Sequence, residues 1–178
     1  VKQSGGSIWA DSEPGQGTTI SCYFPKVLDA ADPVPVRSLE SVDASRACET
    51  VLVVEDDVTI RNIVMEVLET NGYAVLTAGN GLEALEAMEA LETSTSLDRP
   101  VDLLLTDVVM PKMSGGKLFR EVTRRYPHVR ALFMSGYTAD ALADRDGVGP
   151  DMTLLNKPFT LSHLLVKVRE VLDKPRAA

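Results

Sequence analysis

The 178-residue sequence is poor in cysteine and aromatic residues, has fewer basic than acidic side chains, and contains no long apolar run. Its two cysteines, Cys22 and Cys48, match no metal-ligand spacing and form a poor disulfide framework, which favours a reducing compartment such as the cytoplasm. No apolar stretch reaches the ~18 residues of a membrane-spanning helix. The formal net charge of −8 disfavours nucleic-acid binding, because a phosphate backbone attracts lysine and arginine. We therefore expect a cytoplasmic piece of a longer protein that binds neither nucleic acid nor membrane.

Hydrophobic residues make up 44% of the chain, which is enough for a buried core. From residue 50 onward, short apolar runs alternate with segments whose apolar residues recur at helical spacing. Solidly apolar runs are typical of strands that are buried on both faces, as in a parallel sheet. The five predicted strands cover residues 51–54, 73–78, 101–106, 129–134 and 152–155. With five intervening helices, including a short one at 139–143, they predict a flavodoxin-like doubly wound α/β fold with strand order 2-1-3-4-5.

The composition changes along the chain and divides it into four parts, residues 1–26, 27–49, 50–174 and 175–178. Residues 27–49 contain Pro33, Pro35 and scattered Asp, Ser and Ala without sustained periodicity, so we predict a linker there. A short helix around residues 38–47 is the alternative for part of it. We predict the folded domain over residues 50–174 and a tail over 175–178.

Polar side chains follow four of the five predicted strands. Glu55 and Asp56 follow the first strand, Asp107 the third, Ser135 the fourth and Lys157 the fifth. In open α/β sheets, ligands bind beyond the carboxyl ends of the strands. We therefore expect these five side chains to meet at one edge of the sheet.

Carboxylates that meet in this way repel one another, by roughly 4 kcal/mol at about 4 Å and an effective dielectric near 20. A divalent cation removes the repulsion, and hard oxygen ligands suit Mg²⁺ better than Zn²⁺. A carboxylate can also attack phosphorus to form an aspartyl phosphate. The charge of that group would be met by Mg²⁺, by the Lys157 ammonium and by the Ser135 hydroxyl. The pattern therefore indicates phosphoryl transfer.

Residues 50–174 resemble a receiver (response-regulator) domain of bacterial two-component signalling. The motifs that carry the resemblance occur in family order and at family spacing: LVVEDD, LLLTDVVMPKMSG, FMSGYT and NKPF. The resemblance implies that Asp107 accepts a phosphoryl group from a phosphohistidine, and that Ser135 and Lys157 contact that group. It also implies a cis peptide bond before Pro158. The implied Mg²⁺ ligands are Glu55, Asp56, Asp107 and the backbone carbonyl of Val109.

One position departs from the family pattern. Receiver domains often carry an aromatic residue on the fifth strand, three positions before the lysine, and Leu154 stands there. A switch that moves an aromatic ring is therefore not expected in that form.

Residues 1–26 are similar to the C-terminal edge of a histidine-kinase ATPase domain, on the wording SEPGQGT followed by a last strand at 19–24. This resemblance implies a hybrid histidine kinase as the parent. The fragment itself lacks the ATP-binding core, so we expect it only to gain and lose phosphoryl groups at Asp107. The implied partners are the histidine-kinase core or a histidine-phosphotransfer protein, with a weak homodimer as a further alternative.

Two other functions stay open beside the receiver. An Mg²⁺-dependent phosphohydrolase also forms an aspartyl phosphate, but it usually needs a second Asp where this chain has Val109. A flavodoxin-like cofactor binder needs a loop rich in Ser, Thr and Gly after the first strand, where acids stand instead. The third acid of that loop, Asp57, we assign to the start of a helix.

Overall fold

The computed structural model describes residues 1, 5–26, 49–93, 100–136 and 152–174, and it divides the chain into two units, 1–40 and 41–178. The predictions for most of the linker, Cys48, the helix at 139–143 and the tail at 175–178 lie outside the described residues.

The first unit contains an antiparallel hairpin of β1 (Ser7–Glu13) and β2 (Gly17–Tyr23). The turn is closed by a hydrogen bond from Gln16 N–H to the Glu13 carbonyl, at 3.0 Å. Gly15 and Gly17 have φ angles of 81° and 94°, which residues with a Cβ rarely adopt. Almost every hairpin side chain is exposed, including the large apolar ones at Ile8, Trp9, Ile20 and Tyr23. The hairpin therefore has little core of its own.

The second unit contains a five-stranded parallel sheet whose strand order is β4-β3-β5-β6-β7. This order confirms the predicted 2-1-3-4-5 arrangement. The strands are β3 (Thr50–Val54), β4 (Ala74–Ala78), β5 (Val101–Asp107), β6 (Arg130–Ser135) and β7 (Thr153–Asn156). The helices among the described residues are α1 (Val58–Thr70), α2 (Gly81–Thr93), α3 (Gly115–Arg125) and α4 (Leu161–Asp173).

Two apolar clusters include side chains from the central strands. One joins alternate residues of the sheet, such as Val53 and Leu105, to α1 and α4. The other joins the residues between them, such as Leu52 and Leu104, to α2 and α3. Because helices contribute to both clusters, β3 is buried along its whole length. This explains why its sequence is continuously apolar rather than alternating.

The helix ends follow local sequence signals. Asp57 caps α1 by accepting hydrogen bonds from the N–H groups of Thr59 and Ile60, at 2.8 and 3.2 Å. These backbone hydrogen bonds, Ile60's first, lower the pKa of Asp57. Asn71 ends the same helix before Gly72, whose φ is 89°. The predicted helix-start role of Asp57 is thus the one it has in the structure.

The two chain ends of the sheet domain are joined by ion pairs. Arg169, on α4, contacts Glu49 at 3.0 Å and Asp173 at 2.8 Å. Glu49 directly precedes β3, and its carbonyl accepts a hydrogen bond from Ala74 N–H at 3.1 Å. The last helix is therefore held beside the entrance to the first strand of the sheet.

Candidate functional site

Side chains from three strand ends meet at the carboxyl edge of the sheet. Glu55 follows β3, Asp107 ends β5 and Lys157 follows β7. The Lys157 ammonium nitrogen lies 2.7 Å from Glu55 Oε2 and 2.6 Å from Asp107 Oδ2. These contacts join residues far apart in sequence, and the structure brings them together as the strand pattern predicts.

A third carboxylate completes the cluster. Glu55, Asp56 and Asp107 each present a carboxylate oxygen, and the three oxygens lie within 4.8 Å of one another. Glu55 is buried, Asp107 is partly exposed and Asp56 is exposed. The cluster therefore reaches from the sheet interior to solvent.

The charges of the cluster are unbalanced. Burial raises the pKa of Glu55, and the charge of Asp107 also raises it, although the Lys157 ammonium opposes both. Burial disfavours the charge of Lys157, but its hydrogen bonds to Asp107 and Glu55 outweigh burial and raise its pKa. The Lys157 ammonium thus contacts two of the three carboxylates. An additional hard cation that accepts oxygen ligands, such as Mg²⁺, fits this donor set.

The backbone around Asp107 is closely packed. Asp107 Oδ1 accepts a hydrogen bond from Val109 N–H at 3.2 Å. Gly115, the first residue of α3, lies so close that a Cβ there would stand 2.2 Å from the Asp107 carbonyl oxygen. Its N–H donates to the Val108 carbonyl at 3.0 Å. Gly115 therefore serves as helix-entry backbone, and its missing side chain lets α3 start beside Asp107.

Ser135 and Lys157 are linked through the backbone. The Lys157 N–H donates to the Ser135 carbonyl at 2.7 Å, and Ser135 is buried at the end of β6. The peptide bond between Lys157 and Pro158 is cis, as the resemblance implies. Among the described residues, no atom would lie within 4 Å of a Cβ at Gly136, which directly follows Ser135. That Ser135 binds a phosphoryl group remains a prediction.

Two further predicted positions are placed by the structure. Val109 follows the acidic strand end, and its side chain is 53% exposed. Its backbone carbonyl remains a predicted metal ligand. Leu154, in the position where receivers often have an aromatic residue, packs partly buried against the cluster of Val108 and Phe133.

The sequence reasoning missed Arg61. Its Nη1 donates to the Glu55 backbone carbonyl at 2.5 Å. No sequence signal marks this contact, because the acceptor is a backbone carbonyl rather than a particular side chain.

None of the helices in the described part of the chain has the length and apolar character of a membrane span.

The chain is similar to a known protein family and to several known proteins. Residues 51–169, which make up more than half of the chain, match the family model described as the response regulator receiver domain. The sensor kinase CckA of Brucella abortus is 38% identical over 180 residues, covering 98% of this chain and 18% of that protein. The chain thus spans about a fifth of the length of this relative.

Two solved structures show the same fold. The crystal structure of the receiver domain from hybrid histidine kinase CckA is 31% identical, with a TM-score of 0.54, covering 70% of this chain and 99% of that one. The response regulator TrrA of Thermotoga maritima, crystallised in complex with Mg(2+)-BeF, is 27% identical with a TM-score of 0.57. The match covers 69% of this chain and 98% of the TrrA chain.

Proposed function

Because the chain belongs to the response regulator receiver family, we propose that Asp107 accepts a phosphoryl group from a phosphohistidine within a phosphorelay. The observation that carries the proposal is the placement of the Asp107 carboxylate, which is partly exposed and contacts the Lys157 ammonium at 2.6 Å. A carboxylate there can be approached by a phosphoryl donor while a fixed cation lies beside it.

The transfer exchanges one bond for another. An oxygen of the Asp107 carboxylate attacks phosphorus and forms an O–P bond, while the P–N bond of the phosphohistidine breaks and its electron pair goes to the imidazole. Lys157 supplies positive charge beside the acceptor, and the Ser135 hydroxyl would donate a hydrogen bond to the phosphoryl group. Those contacts would bias a two-state protein-interaction surface, for which a tenfold population change requires only about 1.4 kcal/mol.

The carboxylates of Glu55, Asp56 and Asp107 would hold Mg²⁺, together with the backbone carbonyl of Val109. When bound, the ion offsets negative charge on the phosphoryl oxygens and orients them. The three carboxylate oxygens lie within 4.8 Å of one another, which supports this assignment because a cation between them would offset their mutual repulsion.

We further propose that the parent protein is a hybrid histidine kinase, which would be a transferase. The alignment to the Brucella sensor kinase supports this, because it covers 98% of the chain and therefore includes the hairpin as well as the receiver. Residues 1–26 would be the C-terminal remnant of the kinase ATPase domain. The partners would then be the kinase core or a histidine-phosphotransfer protein, with a weak homodimer as an alternative, in the cytoplasm.

The chemistry at the site disfavours the phosphohydrolase alternative. Such an enzyme usually needs a second acid two residues after the nucleophile, and Val109 there is an apolar side chain that cannot transfer a proton. Catalytic turnover would thus lack its acid, whereas a receiver needs only to hold the phosphoryl group.

Incubation with phosphoramidate and Mg²⁺ tests the acceptor. We expect intact-mass spectrometry to find one added phosphoryl group, and Asp107→Asn to abolish it because an amide is a poor nucleophile. Glu86→Gln, an exposed change on α2, is the matched control and should be phosphorylated normally. Phosphorylation that persists in Asp107→Asn would mean that the acceptor is another residue.

Calorimetric titration with Mg²⁺ tests the metal ligands separately. We expect Asp56→Ala to weaken Mg²⁺ binding by about tenfold or more, because it removes one of the few charged oxygens at the site. Glu86→Ala serves as the control for loss of a remote negative charge. Equal affinities of the wild type and Asp56→Ala would remove Asp56 from the metal site.

A further inference from the structure

We propose that Arg61 is a positioning residue that fixes the turn carrying Glu55 and Asp56, and thereby sets the affinity of the carboxylate cluster for Mg²⁺. This inference rests on the proposed function, since it assumes that the cluster binds the cation. Arg61 lies on α1 and is not itself a ligand.

The backbone of Glu55 is held on both sides. Its N–H donates to the Ala78 carbonyl at 3.2 Å, and its own carbonyl accepts from Arg61 Nη1 at 2.5 Å. The peptide group is planar, so the Glu55 carbonyl and the nitrogen of Asp56 share one rigid plane. Fixing that carbonyl therefore restrains the orientation in which the Asp56 side chain leaves the backbone.

The guanidinium of Arg61 also lies against the turn between β4 and α2. Its Nη1 is 3.5 Å from the position that a Cβ on Gly79 would occupy. In that turn the Glu83 carboxylate accepts from Gly79 N–H at 2.8 Å and from the Asn80 amide at 2.6 Å. The Gly79 N–H is the main cause of the lowered pKa of Glu83, and the positive charge of Arg61 makes a minor contribution in the same direction. Arg61 thus interacts with the turns that follow two neighbouring strands.

The chemistry of the side chain explains why arginine suits this position. A guanidinium is planar and carries five N–H donors in a fixed fork, so a hydrogen bond from one nitrogen to a carbonyl restrains the orientation of the whole group. A lysine ammonium at the end of a flexible chain keeps the charge but does not keep this geometry. The Arg61→Lys variant therefore separates positioning from charge.

The test is calorimetric Mg²⁺ titration of the full chain as wild type, Arg61→Ala and Arg61→Lys, at a temperature where circular dichroism shows each variant folded. We expect Arg61→Ala to raise the Mg²⁺ dissociation constant about fivefold or more, and Arg61→Lys to lie closer to Arg61→Ala than to the wild type. Saturating Mg²⁺ should restore the phosphorylation rate with phosphoramidate. A residue important only for folding would lower the melting temperature without moving the dissociation constant.

Two matched variants complete the design. Arg124→Ala removes an exposed arginine from α3 and should leave Mg²⁺ affinity unchanged. An Arg61→Ala affinity within twofold of the wild type overturns the inference, and so does full recovery in Arg61→Lys, which would reduce Arg61 to a nearby charge. If Asp56→Ala also binds Mg²⁺ like the wild type, the metal site of the proposed function is wrong as well. If Asp56→Ala binds Mg²⁺ more weakly and Arg61→Ala does not, only the inference about Arg61 is wrong.

Discussion

Gly115 packs against the backbone of Asp107, the proposed phosphoryl acceptor. The 2.2 Å separation between a Cβ at this position and the Asp107 carbonyl oxygen is far below any van der Waals contact, and the opposing atom is backbone. The strand end and the helix start would both have to move to admit a methyl group. Glycine at position 115 therefore lets the start of α3 lie close to the end of β5, without requiring an unusual φ angle.

We expect Gly115→Ala to destabilise the protein by about 1–3 kcal/mol, because the added methyl overpacks a buried contact. It should also slow phosphorylation, since the Asp107 backbone must shift. Urea denaturation and the phosphoramidate assay measure the two effects. Gly136→Ala is the matched control, because a Cβ there would meet no atom of the described residues within 4 Å, and we expect it to leave stability nearly unchanged. Equal stability of the two variants would contradict the packing argument.

The convergence of Glu55, Asp107 and Lys157 could be predicted because the carboxyl ends of parallel strands meet at one edge of a sheet. The contact of Arg61 could not, because its partner is a backbone carbonyl, which every residue has. The close approach at Gly115 was equally hidden, since residue identity does not report the distance between two backbone segments.

At the scale of elements, α2 is closed at its start by a reciprocal set of hydrogen bonds. Asn80 Oδ1 accepts from the N–H groups of Leu82 and Glu83, at 3.1 and 3.3 Å. The Glu83 carboxylate accepts in return from Gly79 N–H and the Asn80 amide. This arrangement satisfies N–H groups that the first turn of a helix leaves without partners.

The cap predicts a pH dependence. The Gly79 N–H, followed by the Asn80 amide, lowers the pKa of Glu83 from its ordinary value of 4.5, so the fold favours the ionised form. The resulting stabilisation is fully present above the ordinary value and is lost as pH falls through the lower folded pKa. In urea denaturation, Glu83→Gln should be less stable than the wild type at neutral pH, and the difference should shrink as the pH falls well below 4.5.

Glu86→Gln is the matched control for that series, because Glu86 is an exposed residue on the same helix. Glu86→Gln removes the same charge without removing a hydrogen bond of the cap, so it should not reproduce the loss of stability at neutral pH. A difference for Glu83→Gln that stays constant down to low pH would mean that the carboxylate charge does not matter to the cap.

The strand order and the approximate strand positions could be predicted from the sequence, but the observed strand ends differ from the predicted ones by one residue. The fourth strand was predicted at 129–134 and spans Arg130–Ser135, and the second was predicted from Tyr73 but begins at Ala74. Tyr73 is nonetheless buried among α1 and α4 side chains. Apolar patterning reports burial, and a side chain that packs just before a strand looks the same in sequence as one within it.

At the scale of the whole molecule, the buried core belongs to the second unit. The described buried hydrophobic side chains lie between Val51 and Leu172, whereas the large apolar side chains of the hairpin are exposed. Isolated two-stranded hairpins are marginally stable in water. The composition predicted a linker between two parts, but it could not show that the first part has so little core.

We expect removal of residues 1–40 to leave the receiver folded, with a melting temperature within about 2 °C of the full chain, because the described buried hydrophobic side chains lie between Val51 and Leu172. Phosphorylation by phosphoramidate should continue. Calorimetry and intact-mass spectrometry make the comparison, with Leu105→Ala in the shortened chain as a control that should lose about 2–5 kcal/mol. A large fall in melting temperature on removal would show that the first unit stabilises the second.

The pairing of Arg169 with Glu49 has an architectural consequence. Polypeptide enters the sheet domain beside the helix through which it leaves, at the amino ends of the strands. Domains whose ends are close together can be inserted into or appended to other proteins with little disturbance. The described ends of this domain therefore suit such joining, and they lie at the edge of the sheet opposite the carboxylates of Glu55, Asp56 and Asp107.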